Sequence, residues 1–143
     1  MKKKYLITFI IIVAVLIASV IAVGIISNIK MDKLEDAKHY SIGEVKIQTI
    51  NYATVTNLKL ENYSYGKDGN ELEKFFEYKT SNPEGVSGLY TEYLINDENF
   101  VIVTEETYMR VLSKEYENKD TLKVIISFID SKIELNLIYT YID

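Results

Sequence analysis

The feature that most constrains this chain is an apolar run from Leu6 to Ile26, broken only by Thr8, Ser19 and Gly24. At about 1.5 Å per helical residue it reaches roughly 30 Å, the thickness of a bilayer's hydrocarbon core. A cleavable export signal has a shorter apolar region, about 7 to 15 residues, ahead of a small-residue processing site. Ala22-Val23-Gly24 has the form of such a site, and Val20-Ile21-Ala22 a weaker form, yet Ile25 and Ile26 carry the apolar run past both. The length therefore predicts an uncleaved transmembrane signal-anchor over residues 6–28. Cleavage at one of these sites, releasing a secreted domain, is the alternative.

Lys2, Lys3 and Lys4 lie against the start of the run and predict a cytoplasmic tail at residues 1–5, with the C-terminal part outside the cell membrane. Lys30, Lys33 and Lys38 on the other flank nearly balance the lysine count. What decides is that a tail of a few residues ahead of a first span stays in place while the long segment after it is exported. With no Cys in the chain there is no residue for a lipoprotein's lipid to modify. A type IV pilin leader resembles this N-terminus in charge and apolarity. The Gly and the Glu that such leaders carry around their processing site are both missing from Tyr5 to Ile12.

The remainder is acidic: all 21 Asp and Glu follow residue 30, against 12 of the 16 Lys and Arg, for a net charge of −9. Binding to nucleic acid or to an anionic lipid surface needs a basic face, so both are excluded as expectations. No disulfide is available, and about 100 residues must close their own core, a size at which single domains do so.

After the span, Met31, Leu34 and Ala37 recur at spacing three, which predicts a helical stalk over residues 29–43 that Gly43 ends. His39, the single histidine, is expected there as a solvated residue without metal-ligand neighbours. From residue 44 to 143 the pattern becomes short β-branched and aromatic runs parted by turn residues, the mark of a mainly antiparallel sheet. Strands are expected at Val45–Ile50, Thr54–Tyr63, Leu72–Thr80, Asn99–Thr104, Tyr108–Glu115, Leu122–Ile129 and Ile133–Tyr141. The clusters Gly66 to Asn70, Glu117 to Asp120 and Asp130-Ser131 serve as turns. In the last hairpin Leu122, Val124, Ile126 and Phe128 share a face, as do Ile133, Leu135, Leu137, Tyr139 and Tyr141, while Ile125, Ile129, Ile138 and Ile142 add apolar character to the other. That hairpin belongs in the middle of a sheet.

One amphipathic helix is expected around residues 83–96. Asn82 is a natural N-cap, Pro83 fits the first helical position, and Val86, Leu89, Tyr90, Tyr93 and Leu94 form an apolar stripe, with Thr91 opposite. Leu89 is thus expected to be core and Thr91 solvated. The strands on either side suggest a compact βαβ-like unit, and the domain is predicted to be α+β, one helix on one face of a small sheet.

The chemistry is mostly negative. There is no G-x-S-x-G, no H-E-x-x-H, no phosphate-cradling Gly loop and no Cys nucleophile, so no catalytic residue, cofactor or metal is expected. Asp97-Glu98 and Glu105-Glu106 read as solvated pairs, since neighbours on an extended chain point to opposite sides. Asp68, Asn70, Glu71 and Glu73 have the oxygen ligands calcium wants, without the EF-hand register. Of the 12 tyrosines, Tyr63, Tyr65, Tyr108 and Tyr116 are left over by core periodicity and are the candidates for a surface that binds an envelope protein or glycan. The expected function is a small single-pass extracytoplasmic module that binds the bilayer through residues 6–28 and a partner through its domain. The alternatives are a carboxylate-dependent envelope enzyme, or a regulatory subunit acting through a transmembrane helix bearing Ala18 and Ala22.

Overall fold

A computed structural model of the chain describes residues 14, 15 and 30–142. Ala14 and Val15 are helical; the rest of the expected span and the tail at 1–5 lie outside the described residues. Among the described residues no helix is long and apolar enough to cross a membrane.

Residues 30–35 are helical, but the helix expected to reach Gly43 stops there. His39–Ile42 forms strand β1 instead, antiparallel to β2, Val45–Gln48. The competing signal is alternation: Tyr40, Ile42 and Ile47 are all buried, which a helical period could not achieve. Gly43 turns the chain between them at φ +56°, where a side chain is disfavoured. His39 is therefore an exposed strand residue, its ring 6.3 Å from that of Tyr52.

The next correction is a short helix, α1 (Ile50–Thr54), which takes the last residue of one expected strand, the link after it and the first residue of the next. Thr49 caps it by accepting the Tyr52 N–H, and Asn51 folds back on Leu58, donating to its carbonyl at 2.9 Å and accepting its N–H at 2.7 Å. These side-chain bonds give the backbone a local alternative to a ladder and override the β-propensity of the segment. Strand β3 then runs Lys59–Asp68 and β4 Glu71–Lys79, joined at Gly69-Asn70, a tighter turn than the one expected from Gly66. The remaining elements are helix α2 (Pro83–Asn96) and strands β5 (Val101–Glu106), β6 (Met109–Glu115), β7 (Thr121–Ile129) and β8 (Lys132–Thr140).

The molecule is α+β. Strands β3 to β8 make one six-stranded sheet in the order β3-β4-β8-β7-β6-β5, every neighbouring pair antiparallel, and β1-β2 form a separate hairpin. The β7-β8 hairpin is central, as its two partly apolar faces predicted. Strands β4 and β5 run in the same direction but are separated by β8, β7 and β6, so the expected βαβ unit is a crossover spanning the sheet. Leu122, Val124, Ile126, Ile133, Leu135, Leu137 and Tyr139 are fully buried on the covered face, while Lys123, Ile129 and Lys132 on the opposite face are exposed.

Asn82 caps α2 by accepting the Gly85 N–H at 3.2 Å, with Pro83 in the first turn, as expected. The buried stripe, however, is rotated. Val86, Ser87, Tyr90, Thr91, Tyr93 and Leu94 face inward, and Leu89 is 51% exposed. Thr91 is only 6% exposed because its hydroxyl donates to the Ser87 carbonyl at 2.8 Å, so it enters the core already hydrogen-bonded. Tyrosines then join the layers. The Tyr40 and Tyr78 hydroxyls meet at 2.7 Å, Tyr90 donates to the Gln48 carbonyl at 2.8 Å, and Tyr93 accepts the Gln48 N–H at 2.8 Å while donating to Glu98. Burial pushes all four phenols well up from their ordinary value, so they are neutral donors at any ordinary pH.

Candidate functional site

The β1-β2 turn rests on the last strand of the sheet. A Cβ placed on Gly43 would run into the Tyr139 ring, so the turn approaches that ring as closely as a bare backbone allows. An open cleft lies on each side of this contact.

The first cleft, about 430 Å³, is lined by Ser41, Ile42, Tyr63, Tyr65, Leu72, Lys74 and Tyr141. Its residues follow from strand register. Tyr65 is opposite Lys74 and Tyr63 opposite Phe76, so alternate residues of β3 and β4 project to one face and under the β1-β2 hairpin. The Lys74 ammonium donates to the Ser41 carbonyl at 2.6 Å and lies 5.9 Å from the Tyr65 ring centre; the Lys30 ammonium lies 5.3 Å from the Tyr63 ring. Partial burial, and then the nearby Lys30 charge, lower the Lys74 pKa. Burial raises that of Tyr63. The result is a concave surface of tyrosine rings with one amine, Lys74, in its lining and a second, Lys30, over the Tyr63 ring, in an otherwise acidic molecule. Rings of this kind stack on apolar faces, and an amine adds a donor for carboxylate, phosphate or hydroxyl.

The second cleft, about 500 Å³, lies between Glu44-Val45 and Lys114 to Asn118, with Tyr116 and Tyr139 in its wall. Lys114 is 5.0 Å from the Tyr116 ring and 3.8 Å from Glu98. Burial first, then the Glu98 charge, push the Tyr116 phenol up to about 12. With Glu44, Glu115 and Glu117 on the rim, this cleft has the opposite electrostatic character from the first.

The four leftover tyrosines are therefore not one surface. Tyr63 and Tyr65 share the first cleft, Tyr116 is in the second, and Tyr108 is at the β5-β6 turn, 61% exposed with its ring edge-on to Phe128. Compared with known proteins, the chain matches no family model and no curated protein. Its chemistry has to be read from the clefts themselves.

Several carboxylates are committed to structure. Asp120 accepts from the Tyr139 hydroxyl at 2.6 Å, the Ile142 N–H at 2.9 Å and the Asn118 amide at 2.9 Å, and these bonds, Tyr139 foremost, hold its carboxyl below the usual range. Glu77 accepts from Asn62 at 2.9 Å and from Lys132 at 3.1 Å, with the same sense of shift. Glu98 takes the Tyr93 proton donor at 2.8 Å, so one half of the Asp97-Glu98 pair is structural rather than solvated. In the acidic turn, Asn70 ties to the Tyr141 carbonyl at 2.9 Å and Glu73 to Asn136 at 2.7 Å. Among the described residues no group of three potential ligands is placed to hold a metal ion.

Sequence reasoning missed Lys74, Tyr141 and Gly43. The signal for Lys74 was present: a turn centred on Gly69-Asn70 pairs it with Tyr65 by counting outward, whereas a turn starting at Gly66 does not.

Proposed function

We propose that the chain is a small single-pass membrane protein, its N-terminus cytoplasmic and its α+β domain outside, acting as a non-catalytic binding or assembly module of the cell envelope. The anchor is supported by the 6–28 apolar run and the lysines before it. The observation that carries the binding role is the first cleft, which Tyr63, Tyr65 and Tyr141 line together with Lys74, whose amine lies 5.9 Å from the Tyr65 ring. Such a set of stacking faces and one cationic donor suits an envelope glycan or a peptide bearing an acidic group.

Two measurements test this. Cell fractionation should recover the full-length mass in the membrane; a form shorter by about 22 to 24 residues in the culture fluid overturns the anchor. Purified envelope glycan, titrated against the full chain in detergent, should quench tyrosine fluorescence. Tyr65→Ala and Lys74→Ala should each weaken binding about tenfold, the loss of one ring or charge contact. Unchanged binding in both variants removes the cleft from the function.

A further inference from the structure

The outer strand of a sheet presents unpaired N–H and C=O groups, and proteins usually blunt such an edge with charge, a bulge or a covering segment. The two edges here are β3 and β5; each carries a register shift and β5 ends in Glu105-Glu106, but among the described residues only β3 is also covered by another segment. Along β3 the chain covers itself: Glu35 accepts the Leu60 N–H at 2.8 Å, Lys30 lies on Tyr63, and the outer part of the strand reads Ser64, Tyr65, Gly66, Lys67, Asp68, with Tyr65 its one exposed large apolar residue. Strand β5 is exposed at all six positions, with Val101 at 63%, Ile102 at 41% and Val103 at 60%. Register sets Val101 opposite Ser113 and Ile102 opposite Leu112, so apolar side chains flank this edge on both faces of the sheet. Among the described residues no strand pairs with its outer side.

Charge and shape indicate what belongs there. Glu105 is paired with Arg110 at 3.4 Å, while no ion pair to Glu106 occurs among the described residues, and the chain from residue 31 carries a net −9. Paired antiparallel, a second copy would set its own Val101 end, which carries no basic residue, against Glu105 and Glu106. It would also have to match a rigid sheet to the register shift between Ile102 and Thr104, a bulge that twists the strand locally. A flexible segment can follow that twist. We infer that the outer edge of β5 is a strand-addition site for an extended segment of another polypeptide, apolar at alternate positions and basic where it meets Glu105 and Glu106. Antiparallel addition, the pairing used throughout this sheet, places the basic residues at the segment's N-terminal end. Six paired residues span about 20 Å.

The edge is separate from the Tyr65 cleft, and the experiment keeps the two apart. The probe is a nine-residue synthetic peptide, Lys-Arg followed by alternating Thr and Val, added to the full chain in detergent, with amide hydrogen exchange read over residues 101–106. Exchange there should slow by about tenfold or more, as expected for newly paired amides. Val103→Lys, a change at an exposed position, should abolish the effect, whereas Tyr65→Ala should leave it intact. No slowing at 101–106 overturns the inference. So does equal slowing by a peptide with Glu-Glu in place of Lys-Arg, loss of the effect in Tyr65→Ala, or protection that appears without peptide and grows with protein concentration, the signature of a second copy on the edge.

Discussion

At the scale of single residues, two glycines with nearly the same backbone angle have different reasons to be glycine. Gly43 and Gly69 sit at φ +56° and +57°, but only Gly43 faces a ring, that of Tyr139. Gly69→Ala should cost about 1 kcal/mol, the left-handed backbone penalty alone. Gly43→Ala should cost about 2 kcal/mol or more, since the turn must also lift from Tyr139. Urea midpoints of the full chain in detergent measure both, and equal midpoints would show that the ring contact carries no weight. The same contact separates the two clefts, so Gly43→Ala should weaken glycan binding even though the turn itself offers no side chain.

At the scale of elements, the inward face of α2 takes in two small polar residues, Ser87 and Thr91, and leaves Leu89 out. The Thr91 hydroxyl is bonded to the Ser87 carbonyl within the helix, whereas the Ser87 hydroxyl is buried with no partner among the described residues. Leu94→Ala, at a fully buried position, should cost about 2 to 5 kcal/mol. Leu89→Ala should stay within about 0.5 kcal/mol, because the side chain is half in water and both residues suit a helix. Matching urea midpoints for the two variants would refute the rotated stripe. Hydrophobic spacing located the helix, and Asn82 and Pro83 its start; four of the five stripe residues are buried, and the face is turned so that Thr91 takes the place of Leu89. The β7-β8 hairpin was legible because each strand keeps an unbroken apolar residue at every second position, with Asp130-Ser131 as the turn between them. Helix α1 was not, since its cause is two side chains, Thr49 and Asn51, folding back on the main chain. Of the candidate site, Tyr63 and Tyr65 could be paired from their spacing of two; Tyr108 and Tyr116 flank the two ends of β6, and sheet order, which spacing does not encode, sets both apart from β3.

At the scale of the whole molecule, stability should fall at both ends of the pH range, for reasons that can be assigned. Asp120 has a folded pKa below its unfolded one, so its contribution is present above about pH 4 and is lost as the pH drops toward and through the folded value. Asp120→Asn should therefore differ most from the parent chain near neutrality, with the gap in urea midpoint closing below about pH 4. A gap independent of pH would mean that the carboxylate's charge is irrelevant. The phenols act in the opposite sense. Burial first, then the bond to Asp120, raise Tyr139 to about 12, so its contribution holds below the unfolded value of about 10 and is lost as the pH rises through 12.

Strand β8, the last in the chain, lies between β4 and β7. Until residues 132–140 are available, the β3-β4 hairpin and the β5-β6-β7 meander are two fragments with no ladder between them. The closing contacts are distant in sequence, the kind that form slowly. A chain threaded across a membrane from its N-terminal end would thus stay incompletely folded, and able to pass a narrow channel, until its final strand had emerged and zipped the halves together.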